Sequence, residues 1–198
     1  MSYAIIGSGA IGSALARAFA RKGIDVVIAN SRGAASLGAL TQSLGDTVRA
    51  AELTEALAAD IVILAVPFDA VGSAVAGADA WNKRIVVDAT NAIDFPAFTP
   101  RDLGGRPSSK IVAEQVPGAR VVKAFNTIPA AILASDPADS GANRVLFVSG
   151  NEAHASQEVA DLAEELGFAP IILGALDDGG RLQQFGGPLT GQNLLRRK

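Results

Sequence analysis

Three glycines near the N-terminus stand at a spacing that suits a pyrophosphate. The run that contains them reads Gly7, Ser8, Gly9, Ala10, Ile11, Gly12. It follows an apolar stretch, residues 3–6, and precedes apolar residues at helical spacing. In such a turn the first glycine permits a tight bend, the second lets the backbone approach the phosphates, and the third lets the helix pack on the strand. The amides and dipole of the helix N-terminus would face the phosphates, so the sequence predicts a dinucleotide site.

The residues after the second predicted strand distinguish between two dinucleotides. An NAD site places Asp or Glu there, roughly 20 residues beyond the glycines, to bind the ribose hydroxyls. This chain has Asn30, Ser31 and Arg32 instead. Two hydrogen-bonding side chains and a guanidinium suit a 2′-phosphate, which a carboxylate would repel. We therefore predict NADP(H), the alternative being a plain polar turn.

Strand and helix patterns alternate along the chain and indicate what positions these residues. The predicted strands are 3–6, 25–29, 47–50, 61–66, 85–88, 120–125, 144–149 and 168–173, and the main predicted helices are 34–44, 52–59, 69–78, 109–116 and 151–166, with others after the glycine turn and after Pro129. This alternation favours an α/β fold, a Rossmann-type doubly wound, mostly parallel sheet with a small C-terminal extension. We expect residues 1–198 to form a single NADP-binding domain, with 174–198 bordering the substrate site.

Residues 91–107 interrupt this alternation. They contain three prolines, Phe95, Phe98 and the pair Gly104-Gly105. Loops of this length are uncommon in compact domains and tend to be functional. We expect this insert to wall the substrate site.

The composition excludes several kinds of protein and site. The chain has no cysteine, which excludes disulfides, a thiol nucleophile and cysteine-ligated metals and fits a reducing compartment. A net charge of −3 gives no electrostatic reason to bind nucleic acid or an anionic membrane. The longest apolar run, 61–68, is too short to cross a bilayer, and the first residues lack a signal-peptide pattern. We therefore expect a cytoplasmic protein without nucleic-acid or membrane partners.

No side chain stands out as a catalytic acid. The single tyrosine is Tyr3, and the single histidine, His154, begins a late helix where a surface role is expected. A carbonyl substrate needs a general acid, whereas a conjugated ring that accepts hydride delocalises the charge itself. We name no catalytic residue and no metal ligand, and we expect catalysis by positioning two rings face to face.

Further motifs resemble those of a known family. They are 64–68, 88–91, 117–129, 148–150 and 166–168, together with the glycine run and residues 30–32. With these motifs the chain resembles the coenzyme F420 (deazaflavin)-dependent NADP oxidoreductases, whose NADP-binding fold is also found in the cytosolic domain of the STEAP metalloreductases. The similarity covers almost the whole chain, and Lys123 to Thr127 is its most specific stretch.

The resemblance implies which residues contact the cofactor. The pyrophosphate would lie along Ser8, Ala10 and Ile11, and the 2′-phosphate against Ser31 and Arg32. The residues implied at the riboses and the nicotinamide are Ala65, Val66, Pro67, Ala89, Asn91, Ala124 and Asn126. Asp88 and Lys123 stay open between a binding role and a structural one.

Two departures from the family leave the hydride acceptor less determined than the cofactor. Residues 181–185 have glutamines where family members tend to have an acidic residue after the arginine, and the insert around 95–107 is specific to this sequence. The leading hypothesis is an NADP(H)-dependent oxidoreductase that transfers hydride between the nicotinamide and a small planar redox acceptor, deazaflavin or flavin. A homodimer could supply more ring-binding surface. Two alternatives stay open: a non-enzymatic NADP(H)-binding or redox-sensing module, and a small carbonyl or imine reductase with an acid from a partner subunit.

Overall fold

The computed structural model describes residues 1–139 and 141–197. The strands are β1 Tyr3–Ile6, β2 Val26–Ala29, β3 Val48–Ala50, β4 Ile61–Leu64, β5 Ile85–Asp88, β6 Ile93–Asp94, β7 Thr99–Pro100, β8 Arg120–Ala124, β9 Ala138–Asp139, β10 Ala142–Gly150, β11 Ala169–Ile172 and β12 Leu195–Arg197. The helices are α1 Ala10–Lys22, α2 Gly38–Leu44, α3 Leu53–Ala56, α4 Val71–Val75, α5 Ser108–Gln115, α6 Ala130–Ala134, α7 Ala153–Glu165 and α8 Gly179–Gln183, with short 3-10 helices at Ala34–Leu37 and Phe68–Ala70.

The main sheet has the strand order of a doubly wound nucleotide-binding fold. The parallel strands lie side by side in the order β3, β2, β1, β4, β5, β8. The direction in which successive strands are added to the sheet therefore changes between β1 and β4. Ligands of such sheets bind beyond the carboxyl ends of the strands at this point. The prediction of a Rossmann-type, mostly parallel α/β fold is confirmed.

The sheet continues with strands that run the other way. Strand β10 is antiparallel to β8, and β11 is parallel to β10. The short strands β9 and β12 pair with the beginning of β10. The spacing of apolar residues predicts strands but not their direction, so this reversal is not visible in the sequence.

Each face of the sheet is covered by its own set of helices. Ile5 and Ile63 pack in a cluster that includes residues of α1, α6 and α7. Ile6 and Leu64, their neighbours along the same strands, pack in a second cluster with residues of α3, α4 and α5. Because successive side chains of a strand point to opposite faces, continuous apolar runs are needed to fill both clusters.

Several predicted elements are shorter or more divided in the structure. The predicted helix 34–44 is split into a 3-10 turn and α2, and the helix predicted over 52–59 is α3, with four residues. The insert is not structureless, because β6 and β7 form a small antiparallel hairpin within it. Among the described residues, no helix is both long and apolar enough to cross a membrane.

Candidate functional site

The glycine turn is enforced by close packing at two of its three glycines. Gly7 has φ +108°, and a Cβ added there would lie 2.3 Å from the backbone oxygen of Ala65. A Cβ on Gly12 would lie 1.9 Å from the backbone oxygen of Gly7. A Cβ on Gly9 would meet nothing within 4 Å. Gly7 and Gly12 thus hold the turn and α1 against the sheet, while Gly9 faces open space.

The first turn of α1 is available to a ligand. Gly9 is its N-cap residue and supplies no side-chain cap, and no acidic residue lies in the first turn. The first amides of an α-helix have no partner within the helix. The N-terminus of this 13-residue helix is therefore suited to an anion.

A cavity of about 370 Å³ opens beside this turn. Its lining brings together nine of the predicted residues: Gly7, Ser8, Gly9, Asn30, Ser31, Arg32, Ala65, Val66 and Pro67. They come from the loops after β1, β2 and β4, which meet at the carboxyl edge of the sheet. The sequence reasoning missed Ile6, Leu53, Ala70, Ser73 and Ala74, which complete the lining. Their apolar or small side chains carried no motif by which they could have been found.

Asn30 organises the polar end of the cavity. Its side chain is buried, and its Nδ2 donates to Ser8 Oγ at 2.9 Å and to Ser36 Oγ at 3.1 Å. Its Oδ1 accepts the Arg32 amide at 2.8 Å, which fixes the loop after β2. Ser31 and Arg32 are exposed, and Arg32 Nη2 lies 3.4 Å from Ser8 Oγ. Asn30 therefore shapes the loop, whereas Ser31 and Arg32 present their side chains at its surface.

A carboxylate next to this loop was not foreseen from the sequence. Glu52, just before α3, accepts the amide of Ala34 through Oε1 at 3.1 Å. A Cβ on Gly33 would lie 3.7 Å from both of its carboxylate oxygens. Glu52 thus places a negative charge one or two residues from the exposed Arg32.

At the other end of the carboxyl edge, two neighbouring strands end in a buried ion pair. Asp88 closes β5 and faces Lys123 of β8 in the parallel register. Lys123 Nζ donates to Asp88 Oδ2 at 3.0 Å and to the Thr90 backbone oxygen at 3.2 Å. Both side chains are fully buried. The two residues whose role the motifs left open are thus partners of one another.

Hydrogen bonds complete the shell of the Asp88 carboxylate. Oδ1 accepts the amide and hydroxyl of Thr90 at 2.9 and 2.6 Å, and Oδ2 accepts Ser109 Oγ at 2.5 Å. Burial by itself raises the pKa of this carboxyl, but the charge of Lys123 and the bonds from Ser109 and Thr90 outweigh it. The net result is a pKa below the usual value for Asp, so the group is ionised.

Asn91 and Asn126 form a second polar link at this edge. Asn91 Nδ2 donates to the Asn126 backbone oxygen at 2.9 Å, and Asn126 Nδ2 donates to Asn91 Oδ1 at 3.0 Å. Asn126 Nδ2 also donates to the Gln183 backbone oxygen at 2.7 Å, and Gln183 Nε2 donates to the Lys123 backbone oxygen at 2.7 Å. Asn126 Oδ1 is buried with no hydrogen-bond partner among the described residues.

The other predicted residues of this region are more enclosed. Ala89 is buried and Ala124 fully so, both within the apolar cluster shared with α1 and α6. Neither side chain is directed to an open edge in this arrangement. Between Ala124 and Asn126, Phe125 has φ +62°, which is unusual for a bulky residue and is found where surrounding structure imposes it. Ala10 and Ile11 lie in the first turn of α1, next to the cavity lining.

The remaining candidates are peripheral. His154 is exposed and pairs with Glu158 at 2.6 Å one turn along α7, which agrees with a surface role. Within residues 1–139 and 141–197, no group of three or more metal-ligating side chains comes together.

Comparison with known proteins connects this geometry to a family. Residues 2–92 match the model of the family described as NADP oxidoreductase, coenzyme F420-dependent. They contain the glycine turn, the Arg32 loop and the ends of β4 and β5. Over these residues the chain is similar to that family. The resemblance inferred from the motifs is confirmed, and it extends further along the chain. A putative F420-dependent NADP reductase from Arthrobacter sp. FB24 is 28% identical, with a TM-score of 0.76 over 89% of this chain and 86% of that one.

Other relatives share the chain to different extents. A hypothetical protein from Sinorhizobium meliloti is 58% identical, with a TM-score of 0.97 over 99% of this chain and 96% of that structure. The metalloreductase STEAP3 of Rattus norvegicus is 28% identical over 172 residues, which is 87% of this chain but 33% of that protein. The chain thus spans about a third of the length of STEAP3. A reductive aminase from Aspergillus terreus, 21% identical with a TM-score of 0.65, shares the fold.

Proposed function

We propose that this protein is an NADP(H)-dependent oxidoreductase that transfers hydride between the nicotinamide and a planar redox acceptor of the deazaflavin or flavin class. The observation that supports the proposal is the cavity at the carboxyl edge of the sheet, where the strand order changes direction between β1 and β4. It joins the uncapped start of α1 to the exposed Ser31 and Arg32 across the carboxyl ends of β1 and β2.

The phosphates account for the polar half of the site. The pyrophosphate would lie along Ser8, Gly9 and the first amides of α1, where Ala10 and Ile11 contribute backbone N–H groups. The 2′-phosphate would meet Ser31 and Arg32. A guanidinium binds phosphate through charge-assisted, often paired hydrogen bonds, which suits a group that distinguishes NADP from NAD.

The nicotinamide would lie near the ends of β4, β5 and β8. Pro67 and Val66 border the cavity on this side, and Asn126 Oδ1 is a buried acceptor that receives no donor from residues 1–139 or 141–197. A carboxamide NH₂ is a donor of the kind that this oxygen lacks. We propose that Asn126 receives the nicotinamide carboxamide, with Asn91 holding its side chain in place. Ala89 and Ala124 would then support the site from behind, through packing.

The chemistry requires positioning more than proton transfer. Bound NADPH supplies hydride with its electron pair, and a conjugated acceptor ring takes up the charge and later a proton from water. The side chains orient the two rings and limit water between them. We propose that the whole chain acts as one NADP-binding unit, with the segment after Gly174 bordering the acceptor. A cytoplasmic location and a homodimer stay predictions.

Substitution of Arg32 tests the cofactor assignment. We expect Arg32→Asp to weaken NADPH binding by about 1–3 kcal/mol, roughly 5- to 150-fold, because a charge-assisted contact is replaced by repulsion. Binding of NADH, which lacks the 2′-phosphate, should be unchanged. Titration calorimetry with both cofactors measures this, and Arg17→Asp, an exposed change on α1 outside the cavity, controls for net charge.

The outcome also separates the candidate functions. Equal losses for NADPH and NADH would remove the assignment of Arg32 to the 2′-phosphate. NADPH oxidation is then assayed with a deazaflavin, flavin mononucleotide and a quinone. Tight NADPH binding without turnover of any of them would favour a non-enzymatic binding module instead.

A further inference from the structure

Three neighbouring phenylalanines form an aromatic surface in which two rings are exposed and the third, Phe185, is half-buried. Phe95 and Phe98, on the β6–β7 hairpin, are 74% and 60% exposed. Their ring centroids are 5.9 Å apart, and Phe98 is 5.2 Å from Phe185, which follows α8. We call Phe95, Phe98 and Phe185 the phenylalanine surface. Contiguous apolar rings held at a surface mark a binding site more often than scattered single residues do.

The surface is held in place by its surroundings. The guanidinium of Arg101 pairs with both Asp94, at the hairpin, and Asp69, in the 3-10 helix after β4. The C-terminal segment packs directly on the hairpin, since a Cβ on Gly186 would lie 2.3 Å from Pro100 Cγ. Phe98 itself has φ +55°, a conformation that a bulky residue adopts only where the neighbouring structure imposes it. Rings fixed in this way lose little freedom when a flat ligand stacks on them.

Two short stretches of chain, each with one polar side-chain contact, connect the surface to the proposed nicotinamide position. Asp69, which anchors the hairpin through Arg101, lies two residues beyond Pro67 in the cavity lining. Gln183, which accepts a hydrogen bond from Asn126, lies two residues before Phe185. The phenylalanine surface is therefore connected to the cavity lining through Asp69 and to the end of β8 through Gln183.

The charges around the surface do not suit an acidic ligand. Arg101 is engaged by two carboxylates, Arg106 pairs with Glu114, and Lys110 pairs with Asp177. Arg181 donates to the Gly105 backbone oxygen at 2.7 Å. The segments that carry and flank the three rings, residues 68–70, 93–115 and 177–185, have a net negative charge. Their four cations are Arg101, Arg106, Lys110 and Arg181, and their six carboxylates are Asp69, Asp94, Asp102, Glu114, Asp177 and Asp178. A phosphate or a carboxylate-rich tail on the acceptor would be repelled here.

From this geometry we infer that the phenylalanine surface binds the hydride acceptor, and that the acceptor is an uncharged planar ring of the flavin class, without a phosphate or an acidic tail. This rests on the proposed function, since the surface would present the ring to a bound nicotinamide. The two electrons and one proton of the hydride go to the acceptor, which takes one further proton from water to reach the dihydroflavin. The face of Phe98 supplies the stacking contact, and Phe185 supports it from the side.

A matched pair of acceptors tests the charge preference. Riboflavin and flavin mononucleotide share one ring system and differ by a phosphate. We expect a kcat/KM for riboflavin that is about two- to fivefold higher at low salt, a difference that shrinks as salt screens the repulsion. A preference for flavin mononucleotide, or for a deazaflavin with an acidic tail, would overturn the inference.

Substitution of Phe98 tests the location. Phe98→Ala should raise the KM for the acceptor about 5- to 100-fold, the range measured when a stacking aromatic ring is removed. The dissociation constant of NADPH, measured without acceptor, should not change, and Phe98→Tyr should keep the acceptor KM near its original value. Ile172→Ala, another exposed apolar residue at β11, is the control and should leave both constants unchanged.

The outcomes distinguish this inference from the function on which it rests. Failure of the unaltered protein to bind NADPH would refute the proposed function. Normal NADPH binding and turnover, with an acceptor KM unaffected by Phe98→Ala, would refute the inference alone. Light scattering on the same variants covers the other possible occupant: a dimer that dissociates in Phe98→Ala, with no change in acceptor KM, would assign the surface to a second copy of the chain.

Discussion

The two ends of the carboxyl edge of the sheet differ in whether their charged side chains are exposed or buried. At β1 and β2, Arg32 is exposed and the start of α1 has no side-chain cap. At β5 and β8, Asp88 and Lys123 are fully buried and satisfy one another. The first end leaves charge and donors available for a ligand, whereas the second uses them to fix the ends of two strands. Polar residues at the same edge of one sheet thus remain accessible to a ligand in one place and fix the backbone in the other.

The largest expected effect comes from breaking the buried pair. Lys123→Met removes the counter-charge of Asp88 and should lower the free energy of unfolding by about 3–5 kcal/mol, because a buried charge is left uncompensated. Urea denaturation measures this. The exposed pair of Arg49 and Glu55 is the control, and Arg49→Met should cost less than about 1 kcal/mol. Equal effects of the two changes would mean that the buried pair has no special structural role.

The double substitution sharpens this test. Asp88→Asn combined with Lys123→Met leaves neither charge in the core, so it should be more stable than Lys123→Met alone. Loss of stability that simply adds across the two sites would contradict a direct interaction between them.

The same pair predicts how stability depends on pH. The pKa of Asp88 is lowered in the folded protein, so the unfolded chain binds a proton there at a higher pH than the folded one does. The stabilisation is fully present above the unfolded pKa of about 4 and is lost as the pH falls further. Asp88→Asn should therefore reduce the free energy of unfolding at pH 7 by about 3–5 kcal/mol, because Lys123 is left buried without its counter-charge, and by less as the pH approaches 3. Parallel denaturation curves at pH 7 and pH 3 check this, and a loss that is independent of pH would show that ionisation of Asp88 is not involved.

The fold could be predicted largely because its signals are local. The glycine turn, the apolar runs of the strands and the stop of α1 at Gly23 depend on neighbouring residues alone. The antiparallel β10 could not be predicted, because strand direction is decided by pairing across the sheet. Helix α3 ends after four residues, although its apolar residues continue, and Leu57 and Ala59 are buried beyond it.

The candidate site also has one part that the sequence predicts and another that it does not. The lining of the cavity follows from motifs, so Ser8, Arg32 and Pro67 could be placed together from the sequence. The partnership of Asp88 and Lys123 depends on the register of β5 against β8, which no spacing along the chain reveals. Glutamine is usually found at the protein surface. Gln183 is nevertheless buried, and its side-chain amide donates to the Lys123 backbone oxygen on β8.

The smallest expected effect concerns Glu52, a carboxylate beside the open end. Glu52 lies against Gly33 and Ala34, within a screening length of the loop that we assign to the 2′-phosphate. Glu52→Gln keeps an acceptor for the Ala34 amide and removes the charge, so NADPH should bind about two- to fivefold more tightly at low salt, in line with weak exposed charge pairs. NADH binding should not change, and Glu55→Gln on α3, where the carboxylate faces Arg49, is the matched control. If Glu52→Gln strengthened both cofactors equally, its carboxylate would act on the shared pyrophosphate, and the contrast between the two dinucleotides would rest on Ser31 and Arg32 alone.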